Sequence, residues 1–201
     1  MSGSFLSISF WQGLSDWDRS AFLVLNRNLS NPVFDAILPY FRDSVFWMPL
    51  YLFLFAFVVV NYGKKGWWWI LLFLCTIAIS DLLGTYAFKE TVHRIRPCNE
   101  PALASSVRLV IQNCPGGYSF VSNHAANHFG LATFMALSFR TVFGGWVLFV
   151  YLWALLVAFS QIYVGVHYPF DVLAGALLGI AAGYTTASVY RANFGHPVPL
   201  T

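Results

Sequence analysis

Residues 46–60 read FWMPLYLFLFAFVVV, a run without a charged side chain. This run lies in a first apolar stretch over about residues 45–60. Four more stretches follow, at about residues 67–88, 122–139, 146–163 and 169–190. Each approaches the ~20 residues that an α-helix needs to cross a bilayer. The sequence therefore predicts an all-α integral membrane bundle of about five to six transmembrane helices.

The composition agrees with a membrane protein. Of the 201 residues, 58% are hydrophobic and only 9% are charged, against about 25% charged residues in ordinary soluble domains. These figures exclude a soluble globular or disordered protein, and the spans leave no room for a second soluble domain. The net charge of +3, without a basic run, argues against a nucleic-acid partner.

The N-terminal part is too polar for a clear span. Asp16, Asp18 and Arg19 interrupt its apolar residues, so we expect one or two amphipathic helices in the membrane interface. A poorly formed first span is the alternative. The predicted division is an N-terminal interfacial segment (residues 1–44), a membrane domain (residues 45–191) with a polar loop at residues 89–121, and a short tail (residues 192–201).

Basic residues orient the predicted spans. The turn with Lys64 and Lys65, the turn at Arg140 and the end at Arg191 fall on one side. The positive-inside rule makes that side cytoplasmic. The loop 89–121 then lies on the opposite side, yet it is also basic, and anion binding is one reason for such charges.

Two cysteines lie in the polar loop, whereas Cys75 falls within a span and is expected to pack there. In an oxidising compartment Cys98 and Cys114 could pair and close a loop of about 15 residues, worth about 3 kcal/mol. Free thiols are the alternative that the sequence leaves open.

Polar side chains from three segments are predicted at the outward end of the bundle. They are Lys89 and Arg96, then Ser122, Asn123 and His124, then Ser160, Gln161, His167 and Asp171. Guanidinium groups match phosphate oxygens, and the N-terminus of the helix that begins at Ser122 favours anions. The set therefore indicates phosphate binding.

The third segment also carries a candidate nucleophile. Pro169 favours a helix start, which places Asp171 in the first turn, near His167. A histidine held by a carboxylate can attack phosphorus, and His124 can protonate the leaving oxygen. This arrangement predicts phosphoryl transfer through a phosphohistidine, with water as the final acceptor.

These motifs resemble the type-2 phosphatidic acid phosphatase superfamily. The first family motif, Lys, six residues and Arg-Pro, is complete from Lys89 to Pro97. The second, Pro-Ser-Gly-His, is present as Val121-Ser122-Asn123-His124. The third, Ser-Arg, five residues, His, three residues and Asp, runs from Ser160 to Asp171. Motifs and intervening spans cover about residues 67–190.

The resemblance implies a role for each matched position. His167 is the nucleophile, Asp171 orients it and His124 is the general acid. The phosphate is held by Lys89, Arg96, Ser122 and the backbone of Asn123, with Gln161 at the position of the motif-three arginine. Asn123 replaces a glycine and Gln161 replaces that arginine, so one phosphate-binding cation is missing. Arg94 or Arg108 are candidates to replace its charge.

The resemblance further implies a metal-independent hydrolase without a cofactor, acting on a lipid-linked phosphate at the outer face of a bacterial inner membrane. Undecaprenyl diphosphate and lipid A phosphates are favoured over phosphatidylglycerol phosphate and phosphatidic acid. The alternative is a degenerate lipid-phosphate binding or transport protein, motivated by Gln161 and by Asp81 within a predicted span. The oligomeric state is open.

Other polar residues have simpler interpretations. Asp81 within a span is expected to pair with a polar group of the bundle. Tyr163 and Tyr168 are interpreted as interfacial anchors, and His93 as a loop residue. His128 shares a helix face with His124, so a zinc site is a minor alternative.

Overall fold

The computed structural model describes residues 2–195 and contains only helices and connecting segments over that range. The predicted all-α class is confirmed. The α-helices are α1 (Ser2–Leu23), α2 (Pro32–Phe41), α3 (Met48–Leu82), the single turn α4 (Glu90–Val92), α5 (Asn123–Phe143), α6 (Leu148–Tyr163) and α7 (Pro169–Phe194). Two π-helical segments extend α1 and α3: Val24–Asn28 and Leu83–Lys89. The predicted tail begins inside α7, and its residues 196–201 lie outside the described range.

Helix α3 reverses its direction at Gly63, which has a positive φ of 53°. Glycine adopts such a φ without steric cost. The rings of Phe55 and Phe73 lie 5.4 Å apart, whereas a continuous helix would separate these residues by about 27 Å. The two parts of α3 therefore form an antiparallel pair, and they correspond to the first two predicted spans.

Small residues bring α5 and α7 into close contact. A Cβ atom at Gly175, Gly179 or Gly183 would collide with a backbone carbonyl of α5 or its N-cap residue. Such one-turn spacing of small residues lets membrane helices pack backbone to backbone. The contact at Gly175 is with Ser122, so it fixes the start of α5 beside the start of α7.

Large apolar side chains cover the outside of the helices. Phe53, Val60 and Leu148 are more than 60% exposed, as expected for a surface that faces lipid. Three stretches are long and apolar enough to cross a membrane: Met48–Leu103, Gly144–Tyr163 and Pro169–Phe194. The protein is therefore a membrane protein. The predicted number of five to six spans stays a prediction, because the first of these stretches contains the Gly63 reversal and α5 is not among the three stretches.

The described part of the N-terminal segment (residues 1–44) packs onto the ends of α6 and α7. Asn26 donates hydrogen bonds to the carbonyls of Arg108 and Tyr163, at 2.9 and 2.8 Å. Asp35 accepts a hydrogen bond of 2.6 Å from the Tyr163 hydroxyl. The interpretation of Tyr163 and Tyr168 as interfacial anchors was wrong, because both rings are almost fully buried in contacts with protein.

The polar loop after α4 folds over the same end of the bundle. A disulfide joins Cys98 and Cys114, which resolves the alternative left open by the sequence. Ser119 N–H donates to the Arg94 carbonyl at 2.8 Å, and Val110 N–H donates to the Val164 carbonyl at 3.2 Å. The first bond joins two parts of the loop, and the second holds the loop against the α6–α7 connection.

Candidate active site

The three polar segments meet at a cavity of about 260 Å³, here called the inner cavity. The cavity lies where the starts of α5 and α7 meet the end of the π-helical turn Leu83–Lys89. Its lining residues come from all three sequence motifs, the N-terminal segment, α3 and the polar loop: Arg42, Asp81, Lys89, Arg96, Pro115, Asn123, His124 and His167. The cations and both motif histidines therefore face one space of a size that suits a phosphate group.

Arg96 contacts the imidazole of His167 directly. Its Nη1 lies 3.0 Å from Nε2 of His167, and its Nε donates to the Gly117 carbonyl at 3.2 Å. A guanidinium can only donate, so Nε2 of His167 is the acceptor. In the neutral ring the proton then resides on Nδ1, and the lone pair of Nε2 points towards Arg96.

Asp171 faces the other side of the His167 ring. Its Oδ2 lies 3.5 Å from Nδ1, which is longer than a good hydrogen bond, and it accepts a bond of 2.9 Å from the Tyr168 N–H. Its Oδ1 accepts a bond of 2.7 Å from Arg94. The carboxylate is thus held rigidly beside the imidazole, as the predicted orienting role requires.

Arg94 connects Asp171 to a second buried carboxylate. Its other terminal nitrogen lies 2.6 Å from Asp18, and its guanidinium carbon lies 4.0 Å from the centre of the Tyr168 ring. Asp18 in turn accepts a bond of 2.9 Å from the Phe170 N–H. Helix α1 therefore supplies a residue that supports Asp171, which no sequence motif indicated.

Burial keeps His167 neutral. Its side chain is only 2% exposed, and this loss of hydration lowers the pKa of His167 to about 4, although Asp171 opposes the shift. The cations Arg96 and Lys89 lower the pKa further. A neutral imidazole, whose Nε2 carries a lone pair and no proton, is the form that can act as a nucleophile.

Ser122 begins α5 from a fully buried position. Its Oγ accepts a bond of 3.4 Å from the Ala125 N–H, and its own N–H donates to the Asp171 carbonyl at 2.9 Å. Ser122 therefore fixes the first turn of α5, in which His124 lies, and joins this turn to α7. The predicted direct phosphate contact of Ser122 stays a prediction.

Asn123, which replaces the family glycine, bonds to residues of the preceding helix. Its Nδ2 donates to Asp81 at 2.8 Å and to Thr85 at 2.9 Å. Asp81 thus has the polar partner that its place in a span required. The asparagine side chain ties the first turn of α5 to α3, and Gly84 packs directly against it.

Gln161 does not line the inner cavity. It is fully buried in α6, and its Nε2 makes long contacts of 3.4 Å with the Val157 carbonyl and the Ser160 hydroxyl. Its backbone carbonyl accepts the N–H of His167 at 3.2 Å. The Gln161 side chain therefore packs within α6, and the recorded hydrogen bond from Gln161 to His167 is made by its backbone carbonyl.

The proposed substitutes for the missing arginine are occupied elsewhere. Arg94 is paired with Asp18 and Asp171, and Arg108 is paired with Asp35; neither lines the inner cavity. Arg42 does line it, and the sequence interpretation missed this residue because it belongs to no motif. Its spacing of seven from Asp35, on one face of α2, was the available signal.

His128 lies one turn beyond His124 but serves packing. Its Nδ1 is 2.9 Å from the His124 carbonyl, and its ring lies 4.8 Å from that of Trp153. Within residues 2–195 no three His, Cys, Asp or Glu side chains converge as a metal site would require. His93, the other loop histidine, stacks edge-on with Tyr118 and is exposed.

Residues 67–194 match the PAP2 superfamily. The chain belongs to the PAP2 superfamily. This is the family whose motifs the sequence resembles, and it confirms the predicted class, a membrane phosphatase that acts on lipid phosphates.

Individual PAP2 relatives agree with this assignment. The chain is 33% identical to the lipid A 4'-phosphatase of Bacteroides thetaiotaomicron over 174 residues, which cover 85% of this chain and 76% of the relative. Among solved structures it is similar to Aquifex aeolicus LpxE, with 28% identity, a TM-score of 0.59, and coverage of 83% of this chain and 92% of that one.

A second PAP2 structure supports the fold alone. It is the PAP2-type phosphatidylglycerolphosphate phosphatase of Bacillus subtilis, which is 23% identical, with a TM-score of 0.68 and coverage of 90% of this chain and 87% of that one. The match extends beyond the motif region, since 90% coverage requires part of the N-terminal segment to superpose as well.

Proposed function

We propose that the chain hydrolyses a lipid-linked phosphate through a phosphohistidine on His167. The observation that carries this proposal is the buried, neutral imidazole between Arg96 and Asp171, with its Nε2 lone pair directed at the cation-lined inner cavity. A phosphate that enters the cavity replaces the imidazole as the partner of Arg96. Nε2 is then free to face phosphorus.

The reaction has two steps. In the first, Nε2 of His167 attacks phosphorus, the bond from phosphorus to the leaving oxygen breaks, and His124 gives that oxygen a proton. In the second, water attacks the phosphohistidine, His124 takes the water proton, and the bond from phosphorus to Nε2 breaks. Lys89 and Arg96 stabilise the charge on the phosphoryl oxygens in both steps, and Asp171 stabilises the positive ring.

Two neighbouring cavities fit the rest of a lipid phosphate. A larger cavity of about 720 Å³, here called the outer cavity, shares Arg42 and His124 with the inner one and carries polar side chains, among them Asp43, Gln112 and Asn113. Because His124 protonates the leaving oxygen, the leaving headgroup occupies this side. Polar walls suit a hydroxyl-rich sugar better than a diacylglycerol or a prenyl chain.

An apolar groove of about 440 Å³ lies on the membrane side of the site. Trp153 lines it together with Tyr51 and Leu54, and the same Trp153 ring contacts His128, one turn from His124. An acyl chain in this groove would stay in an apolar environment while the phosphate meets the cations. The groove supports lateral entry of a lipid from the bilayer.

We place the active site at the outer face of a bacterial inner membrane, towards the periplasm. The basic residues near the helix ends support this orientation. The hydroxyl of Tyr190, the neighbour of Arg191, donates to the Lys65 carbonyl at 3.3 Å, and Tyr62 contacts Phe139, the neighbour of Arg140. These basic residues therefore share one end of the bundle. Helix α5 carries His124 at the opposite end.

The leaving-group argument and the Bacteroides relative both favour a lipid A phosphate as the substrate. The test is phosphate release by the detergent-solubilised protein from lipid A, undecaprenyl diphosphate, phosphatidylglycerol phosphate and phosphatidic acid. We expect the highest kcat/KM with lipid A and inhibition by orthovanadate, which imitates five-coordinate phosphorus. Equal rates with all four lipids would contradict the headgroup assignment. Binding of these lipids without phosphate release would favour a lipid-phosphate binding protein.

A further inference from the structure

Arg42 reaches the inner cavity from outside the three motifs. It is the residue that ends α2, and it lines both the inner and the outer cavity together with His124. It therefore stands where the phosphate and the leaving group of a bound substrate would meet. The motif position that supplies a cation in the family carries Gln161 here, and its side chain is packed away from the cavity.

The docking of α2 fixes this position of Arg42. Asp35 bonds to the Tyr163 hydroxyl and pairs with Arg108, and Leu38 is buried against Tyr163, Val164 and Val166. Asp35, Leu38 and Arg42 are spaced by three and four residues, so they share one face of α2. The same face of α2 therefore contacts the end of α6 and carries Arg42. This contact places Arg42 next to the segment that contains His167.

The charge of Arg42 has no partner. Within residues 2–195 it makes no ion pair, and its buried Nε has no hydrogen-bond acceptor. The other arginines around the site are all engaged: Arg94 with two carboxylates, Arg96 with His167 and two carbonyls, Arg108 with Asp35. A half-buried guanidinium without an acceptor is costly unless a ligand supplies one.

The electrostatic surroundings of Arg42 also indicate that it lacks an anionic partner. Burial lowers the pKa of Arg42, and only the neighbouring Asp43 opposes this shift. By contrast, Asp35 raises the pKa of Arg108. An anionic ligand in the cavity would give Arg42 the stabilisation that Arg108 already has from its carboxylate partner.

We propose that Arg42 binds the substrate phosphate and supplies the cation that the third motif lacks. It makes the N-terminal segment part of the substrate-binding site. This inference rests on the proposed function for the identity of the ligand, a phosphate monoester of a lipid, but the contact itself is with the phosphoryl group. Any tetrahedral oxyanion that fits the inner cavity should therefore report on it.

The experiment measures inhibition by orthovanadate and direct binding of inorganic phosphate for the full-length protein and the variants Arg42→Gln and Arg42→Lys. One charge-assisted contact contributes a factor of about 10 to 100 in affinity. We expect Arg42→Gln to weaken both ligands by that factor, with the lipid KM rising in parallel. Arg42→Lys keeps the positive charge but loses the planar guanidinium. Its affinities for both ligands should lie between those of the wild type and Arg42→Gln.

Arg27→Ala is the matched control, since Arg27 is an exposed arginine of the same segment and should leave both affinities unchanged. If Arg42→Gln binds orthovanadate and phosphate as tightly as wild type, the proposal is overturned, even if the variant has a lower Tm or kcat. Absence of phosphate release by the wild-type protein would refute the proposed function instead. The phosphate-binding comparison would still decide the role of Arg42.

Discussion

The membrane helices and the N-terminal segment contribute differently to the site. The motif region after residue 67 supplies His124, His167 and Lys89, which line the inner cavity and which we propose as the reacting and phosphate-binding groups. The N-terminal segment contributes Asp18, which supports the Asp171–Arg94 pair, and Arg42, which lines the cavity. The groups of the proposed reaction thus lie in short motifs, whereas Asp18 and Arg42 lie in a segment without any motif.

The largest expected effect distinguishes His167, the proposed nucleophile, from His93, a histidine whose recorded ring contact is with Tyr118. In the proposed mechanism His167→Ala removes the atom that attacks phosphorus, so phosphate release should fall by about 10⁴-fold or more, to background. His93→Ala is the control, because His93 is exposed and stacks only on Tyr118. Wild-type turnover by His167→Ala would refute the phosphohistidine mechanism.

The next effect tests whether the N-terminal segment supports the site. Arg94→Ala leaves Asp18 and Asp171 buried without their shared cation, and breaking a buried pair costs about 3–5 kcal/mol of unfolding free energy. We expect a clear loss of Tm together with lower kcat. Asp18→Asn keeps the shape and should lower kcat less. Unchanged kcat in both variants would mean that α1 does not orient Asp171.

The pH profile tests the burial of His167. Protonation removes the Nε2 lone pair, so activity should fall as the pH drops through the pKa of His167. Because burial lowers this pKa to about 4, kcat/KM should persist at pH 5, where an ordinary histidine would have lost activity by about 30-fold. An acid limb of kcat/KM near pH 6.5 that is assigned to His167 would show that its ring is hydrated.

The smallest effect concerns the junction between α3 and α5. Asn123→Gly restores the family residue but removes the hydrogen bonds to Asp81 and Thr85. We expect a loss of about 1–2 kcal/mol in stability and a change in kcat/KM below about fivefold. Thermal unfolding and phosphate release measure both quantities. A gain in stability would show that the asparagine is a compromise made for activity.

The helical bundle and the motif residues that meet at the inner cavity were predictable because their signals are local. Apolar runs mark helices, and the motif spacing from Lys89 to Asp171 survives in the sequence whatever the surrounding contacts. The class of enzyme followed from these motifs and was confirmed by the family match. The reversal at Gly63 also agreed with a short turn between two spans.

The remaining parts depend on tertiary contacts that no local pattern encodes. A tyrosine near the end of a predicted span, such as Tyr163, is typical of an interfacial anchor. In the structure its ring is buried, and its hydroxyl donates to Asp35 of α2. Arg42 and Arg94 are both arginines in polar surroundings, and only the packing of α1 and α2 decides which is paired and which faces the cavity. Sequence reasoning therefore assigned the missing charge to Arg94 or Arg108, and the structure pairs both with carboxylates.

The most direct test of the account is to trap the covalent intermediate. The protein is mixed with ³²P-labelled lipid phosphate, quenched in alkali within one turnover, and digested, since phosphohistidine withstands base. The account expects label on the peptide that contains His167, and no label in His167→Ala. Full release of labelled phosphate with no protein-bound label at any time, or label on another residue, would contradict it.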